Sequence, residues 1–105
     1  MAGNSLARLG FLMAQKIARK FLIHGEVQGV GYRFFAQRAA ARHQVTGYVR
    51  NLLNGTVEAL AEGSEASVEA FKHDLVTGPA WANVANVEEI NLDPTGRFSA
   101  FRIER

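Results

Sequence analysis

Two runs of alternating residues flank Leu53-Asn54-Gly55-Thr56, and this arrangement constrains the fold more than any other feature of the chain. Asn-Gly reaches positive φ at little cost, so it closes a tight hairpin between antiparallel strands. On the run leading in, Val45, Gly47, Val49 and Asn51 share one face, and Thr46, Tyr48 and Arg50 share the other. The return strand, Thr56 to Gly63, sets Val57, Ala59 and Ala61 on one face. Outside this hairpin the period changes to that of a helix. Residues 32–43 predict a helix with Phe35, Ala39 and Ala40 toward a core and Arg38 and Arg42 toward water. Beyond Ser64, an N-cap with Glu65 in the first turn, Val68, Phe71 and Leu75 recur at helical spacing until Gly78-Pro79 stops the run.

A nearly continuous apolar strand, Lys20-Phe21-Leu22-Ile23-His24, precedes the first helix. After the second helix, residues 82–92 and Phe98 to Glu104 read as strands, separated by the turn Asp93-Pro94-Thr95-Gly96. The order is therefore β-α-β-β-α-β plus a final strand. It predicts an α+β fold, a ferredoxin-like two-layer sandwich with two helices on one face of a mainly antiparallel sheet. The chain's 105 residues, 48% of them hydrophobic, suit one domain with its own core. The absence of cysteine excludes disulfides, thiolate metal sites and a cysteine nucleophile, and suits a reducing compartment. An excess of 12 Lys+Arg over 10 Asp+Glu is too small to argue for nucleic acid as a partner.

No acidic residue precedes Glu26, whereas Arg8, Lys16, Arg19 and Lys20 do. The apolar stretch from Leu9 to Ala14 is too short to span a membrane. Residues 1–17 read as an N-terminal extension, either loosely ordered or upstream of a true start at Met13, and residues 18–105 read as the domain.

Many functions use such a sandwich, so function has to come from a site. The strongest candidate is Gly25-Glu26-Val27-Gln28-Gly29-Val30-Gly31-Tyr32-Arg33, between the first strand and the first helix. Glycines let backbone N–H groups turn inward, and a helix N-terminus adds unpaired N–H groups and a positive dipole end. Arginine adds a planar fork that matches phosphate oxygens. A cation at this end of a helix opposes the dipole, and makes more sense if an anion shares the pocket. A Walker loop is excluded, because Tyr32 follows Gly31 where lysine is required, and a dinucleotide fingerprint is excluded by Phe34. A cradle for phosphate and a simple tight turn both remain open at this level. Asn51, at a strand end, is ordinary turn chemistry unless the fold brings it beside the glycine loop, where its amide could orient a water nucleophile. His24, His43 and His73 lack metal-ligand spacing, Glu88-Glu89 reads as a solvated pair, and Trp81 as a core or loop-packing residue.

The stretch from His24 to Arg33 resembles the first signature of the acylphosphatases, and Gly47-Tyr48-Val49-Arg50-Asn51-Leu52-Leu53-Asn54-Gly55-Thr56-Val57-Glu58 resembles their second. Gly78-Pro79 with Ala82 and Val84, and the closing Phe101-Arg102-Ile103, are also similar. The resemblance implies hydrolysis of acyl phosphates, the mixed anhydrides of carboxylic and phosphoric acids, to carboxylate and inorganic phosphate. It implies that Arg33 binds the phosphate, that backbone N–H groups of Gln28, Gly29, Val30, Gly31, Tyr32 and Arg33 wrap it, and that Asn51 orients the attacking water. It further implies no metal and no cofactor, a small-molecule acyl phosphate as substrate, and inorganic phosphate as product and inhibitor. A cytoplasmic monomer with no nucleic-acid or membrane partner is expected. The alternative is a non-catalytic phosphate- or ligand-binding module on the same fold. An RNA-binding module ranks below both, for want of aromatic residues patterned on the central strands.

Overall fold

The computed structural model describes residues 15–105, and most of the expected extension, with the Met13 start, lies outside the described residues. The elements are β1 (Lys16–Glu26), α1 (Tyr32–Arg42), β2 (Thr46–Asn51), β3 (Val57–Ser64), α2 (Glu65–Thr77), β4 (Asn83–Leu92) and β5 (Phe101–Glu104). They form one five-stranded sheet of order β4-β1-β3-β2-β5. All pairings are antiparallel except that of β2 with β5. Two helices with one mainly antiparallel five-stranded sheet form the ferredoxin-like α+β sandwich expected from the sequence.

The hairpin forms between β2 and β3 as its Asn-Gly signal requires, with Asn54 Oδ1 accepting from Thr56 N at 3.0 Å. The helix ends also follow their residues. Ser64 Oγ accepts from Ser67 N at 3.1 Å, and Gly78 closes α2 by donating its N–H to Asp74 O at 2.8 Å. Val68, Phe71 and Leu75 of α2 are fully buried against the sheet, as are Ala36, Ala39 and Ala40 of α1. Phe71 packs edge-on against both Phe21 of β1 and Phe101 of β5. Salt bridges from Arg19 to Glu69 and Glu89, and from Lys72 to Glu89, tie α2 to β1 and β4. Glu88 lies 2.6 Å from His24 Nε2, and Glu89 pairs with Arg19 and Lys72, so each of the two glutamates has a side-chain partner.

Two strand boundaries differ from expectation. β1 reaches back to Lys16 and forward to Glu26, because its backbone pairs with β3 and β4 beyond the apolar run, with a shift of register against β4 between His24 and Gly25. The last strand starts only at Phe101. The segment before it crosses the outer face of the sheet, where Phe98 meets the Tyr48 ring at 6.2 Å. There Thr95 N, Thr95 Oγ1 and Gly96 N donate to the buried Glu62 carboxylate at 2.9–3.0 Å. β3 is consequently buried on both faces, although its sequence alternates.

Candidate functional site

β1 and β2 both run antiparallel to the intervening β3, so their C-terminal ends lie at one edge of the sheet. Ile23, Val57 and Asn51 stand in register across the three strands. Two strand spacings, roughly 10 Å, separate the end of β1 from Asn51. The glycine loop leaves β1 and bridges that distance on its way to α1. The juxtaposition on which a role for Asn51 depended is thus a product of strand order.

The loop is held over the end of β3 by a side chain. Gln28 Nε2 donates to Leu52 O at 2.7 Å and to Thr56 O at 3.0 Å, the two ends of the β2–β3 hairpin. Buried Val27 anchors the loop from below. Gly29 and Gly31 take φ values of +76° and +77°, a conformation that costs an ordinary residue about 1–2 kcal/mol. Gly31 occupies the N-cap of α1, which has no side-chain cap and no acidic residue in its first turn. The first N–H groups of the helix therefore lack intrahelical or capping partners. Tyr32, whose hydroxyl donates to Leu75 O at 2.6 Å, pins this helix end to α2, and burial pushes its phenol pKa up.

Val27, Gly29, Gly31, Tyr32, Arg33, Phe34 and Asn51 line one cavity of about 90 Å³. Among the described residues its one charged lining residue is Arg33. Among the described residues Arg33 has no carboxylate partner; its Nη1 makes a single long contact of 3.4 Å with Glu104 O. Most of its five donors are thus open to a ligand. The Oδ1 atom of Asn51 is buried and has no hydrogen-bond partner among the described residues. Such an acceptor costs about 1–3 kcal/mol, which a structure tolerates where the group has work outside the fold. A tetrahedral oxyanion in this cavity would meet a guanidinium and the positive, uncapped end of a helix, with an amide oxygen beside it.

The cavity lining includes Gly29, Gly31, Tyr32, Arg33 and Asn51, while Gln28 stands behind it as a clamp and Val30 packs against the core. Two rim residues escaped the sequence. Phe34 is 60% exposed, and Trp81, expected to pack in the core or against a loop, is 61% exposed and stands beside Gly31 of the glycine loop. Their chemistry gave no sign, because a large apolar residue predicts burial. The histidines stay dispersed: His24 pairs with Glu88, and His43 with Asp74.

The sequence matches the family model described as Acylphosphatase over residues 19–103. The chain is 48% identical over 83 residues to an acylphosphatase of Moorella thermoacetica, covering 79% of this chain and 88% of that protein. It is 44% identical over 89 residues to an acylphosphatase of Actinobacillus succinogenes, covering 85% and 99%. The crystal structure of acylphosphatase from Bacillus subtilis superposes with a TM-score of 0.81 at 29% identity, covering 85% of this chain and 99% of that one.

Proposed function

Since the chain belongs to the acylphosphatase family and hydrolyses acyl phosphates, we propose that the cavity between the glycine loop and Asn51 is where it does so. The observation that carries the assignment is the meeting of an unpaired Arg33 and an unpartnered Asn51 amide oxygen at one small cavity. Arg33 and the N–H groups of Gln28 to Arg33 hold the phosphoryl oxygens. Asn51 Oδ1 accepts a hydrogen bond from water and aims its lone pair at phosphorus. The new bond forms between water oxygen and phosphorus. The bond from phosphorus to the acyl oxygen breaks, and the carboxylate leaves with its electron pair. The water proton passes to a phosphoryl oxygen.

Little acid or base is needed, because a carboxylate is a good leaving group. Positioning and charge stabilisation then supply most of the acceleration. The reaction as drawn uses no metal: Arg33 and the helix end provide the positive charge, and the lining offers no histidine or carboxylate as a ligand. The cysteine-free composition suits the cytoplasm, where we place a monomeric enzyme acting on a dissolved small molecule, with inorganic phosphate as product and competitive inhibitor.

The test is hydrolysis of benzoyl phosphate with excess chelator. Turnover should persist, should be lost with phosphate binding in Arg33→Ala, and should be lost with phosphate binding retained in Asn51→Ala. Equal loss of phosphate affinity in both variants would overturn the division of roles.

A further inference from the structure

A cavity of about 90 Å³ is far smaller than the ~300 Å³ or more of sites that enclose a whole small-molecule ligand. On the reading above it takes the phosphoryl group, and the acyl group has to lie across the rim. That rim is aromatic. Phe34 lines the cavity and leaves 60% of its surface in solvent. Trp81 is 61% exposed, and its indole Nε1 is 3.7 Å from where a Cβ on Gly31 would stand.

Trp81 is held in this place by the fold. Its turn is closed by Ala82 N donating to Pro79 O at 3.1 Å, and Pro79 is buried. The preceding Gly78 lies against Tyr32, the residue that fixes the start of α1: a Cβ on Gly78 would be 3.7 Å from the Tyr32 ring. Both rings are largely exposed, with Phe34 lining the cavity and Trp81 standing beside Gly31 next to it.

We propose that Trp81 and Phe34 form an acyl-group platform, and that this enzyme prefers acyl phosphates whose acyl group is aromatic or otherwise large and apolar. The inference rests on the phosphoryl assignment made above and adds the substrate class. A planar aryl group seated on an indole gains stacking and burial that an acetyl group cannot. Trp81 is a specificity residue here, since it touches the part of the substrate that does not react.

The test compares kcat/KM for benzoyl phosphate and acetyl phosphate in the native chain, Trp81→Ala, Trp81→Phe and Phe34→Ala. Differences in intrinsic reactivity cancel when the benzoyl-to-acetyl ratio is compared between variants. Loss of one aromatic contact should lower that ratio about three- to tenfold in Trp81→Ala and in Phe34→Ala. Trp81→Phe, which keeps a ring, should hold most of it. Trp81 is the sole tryptophan, so its fluorescence reports directly. Phenacylphosphonate, with a methylene in place of the bridging oxygen of benzoyl phosphate, should change the emission more than acetonylphosphonate does. An unchanged ratio in both alanine variants overturns the platform, whether the two substrates are unaffected or lose together. Equal emission changes with the two phosphonates do so as well. If the native chain hydrolyses neither substrate, the phosphoryl assignment has failed instead.

Discussion

Gln28→Ala separates what holds the site together from what performs the chemistry. The side chain donates to Leu52 O and Thr56 O, and the substitution removes both bonds. Neither carbonyl is stranded, since Leu52 O still accepts from Gly55 N at 3.2 Å and Thr56 O from Leu52 N at 2.8 Å. The stability cost is therefore about 1 kcal/mol per bond, or about 2 kcal/mol in all, without an added penalty for a bare acceptor. For a domain of this size that lowers Tm by roughly 8–16 °C and leaves the protein folded at room temperature. The catalytic cost is expected to be larger. Gln28 fixes the loop to the hairpin beside Asn51, and a displacement of 1 Å between water and phosphorus can cost roughly 100-fold in rate. On the proposed roles inorganic phosphate is held by the loop and Arg33 rather than by Asn51, so its inhibition constant should move much less than kcat. In an Asn51→Ala background the same substitution should add almost nothing to the loss of kcat, because the two residues act on one geometric relation. Thermal unfolding, steady-state kinetics and the double-mutant cycle measure all three. A fall in Tm with kcat within about threefold of the native value would refute the reasoning, leaving Gln28 as a stabilising contact alone.

Asn51→Ala should lower kcat by about 100-fold or more while leaving the urea midpoint unchanged or raised, since it removes a buried acceptor without a partner; a clear drop in midpoint would contradict this. Tyr32→Phe leaves Leu75 O without its 2.6 Å donor and should cost about 1–2 kcal/mol in unfolding free energy, with phosphate affinity largely kept. Glu62 links stability to pH. Burial opposes its charge, but Thr95 N, Gly96 N, the Thr95 hydroxyl and Lys16 outweigh that and hold its carboxyl below the usual range. Because the folded pKa lies below the unfolded one, this stabilisation is present at neutral pH and disappears as pH falls through the carboxylate range. Glu62→Gln should flatten the acid limb of a plot of urea midpoint against pH, and an unchanged limb would remove Glu62 as the cause.

The order of elements was legible because each local signal agreed with the fold: the Asn54-Gly55 turn, the Ser64 cap, the Gly78-Pro79 stop and the helical spacing of Val68, Phe71 and Leu75. The glycine loop was legible as a candidate cradle for the same reason. Asn51 was legible only conditionally, because its value depends on β3 pairing between β1 and β2, a long-range fact that periodicity does not carry. The clamp of Gln28 on the hairpin depends on the same pairing and left no local mark. Phe98 was read as strand because it is apolar and near the end of the chain. It serves instead to cover the outer face, over Tyr48, as Thr95 and Gly96 do over Glu62. Of the two placements read for Trp81, core or loop, the structure has it beside the glycine loop and largely exposed, a choice that depends on tertiary position and left no local mark.

The most direct measurement is a titration of the isotopically labelled protein with inorganic phosphate, followed through backbone amide and side-chain amide resonances. The account predicts saturable shifts centred on Gly29 to Phe34 and on the Asn51 side chain, abolished by Arg33→Ala. A larger cavity of about 410 Å³ lined by Arg97, Ser99 and Arg102 offers a rival cationic surface. Shifts centred there, with the glycine loop undisturbed, would contradict the assignment of the phosphate to Arg33 and the end of α1.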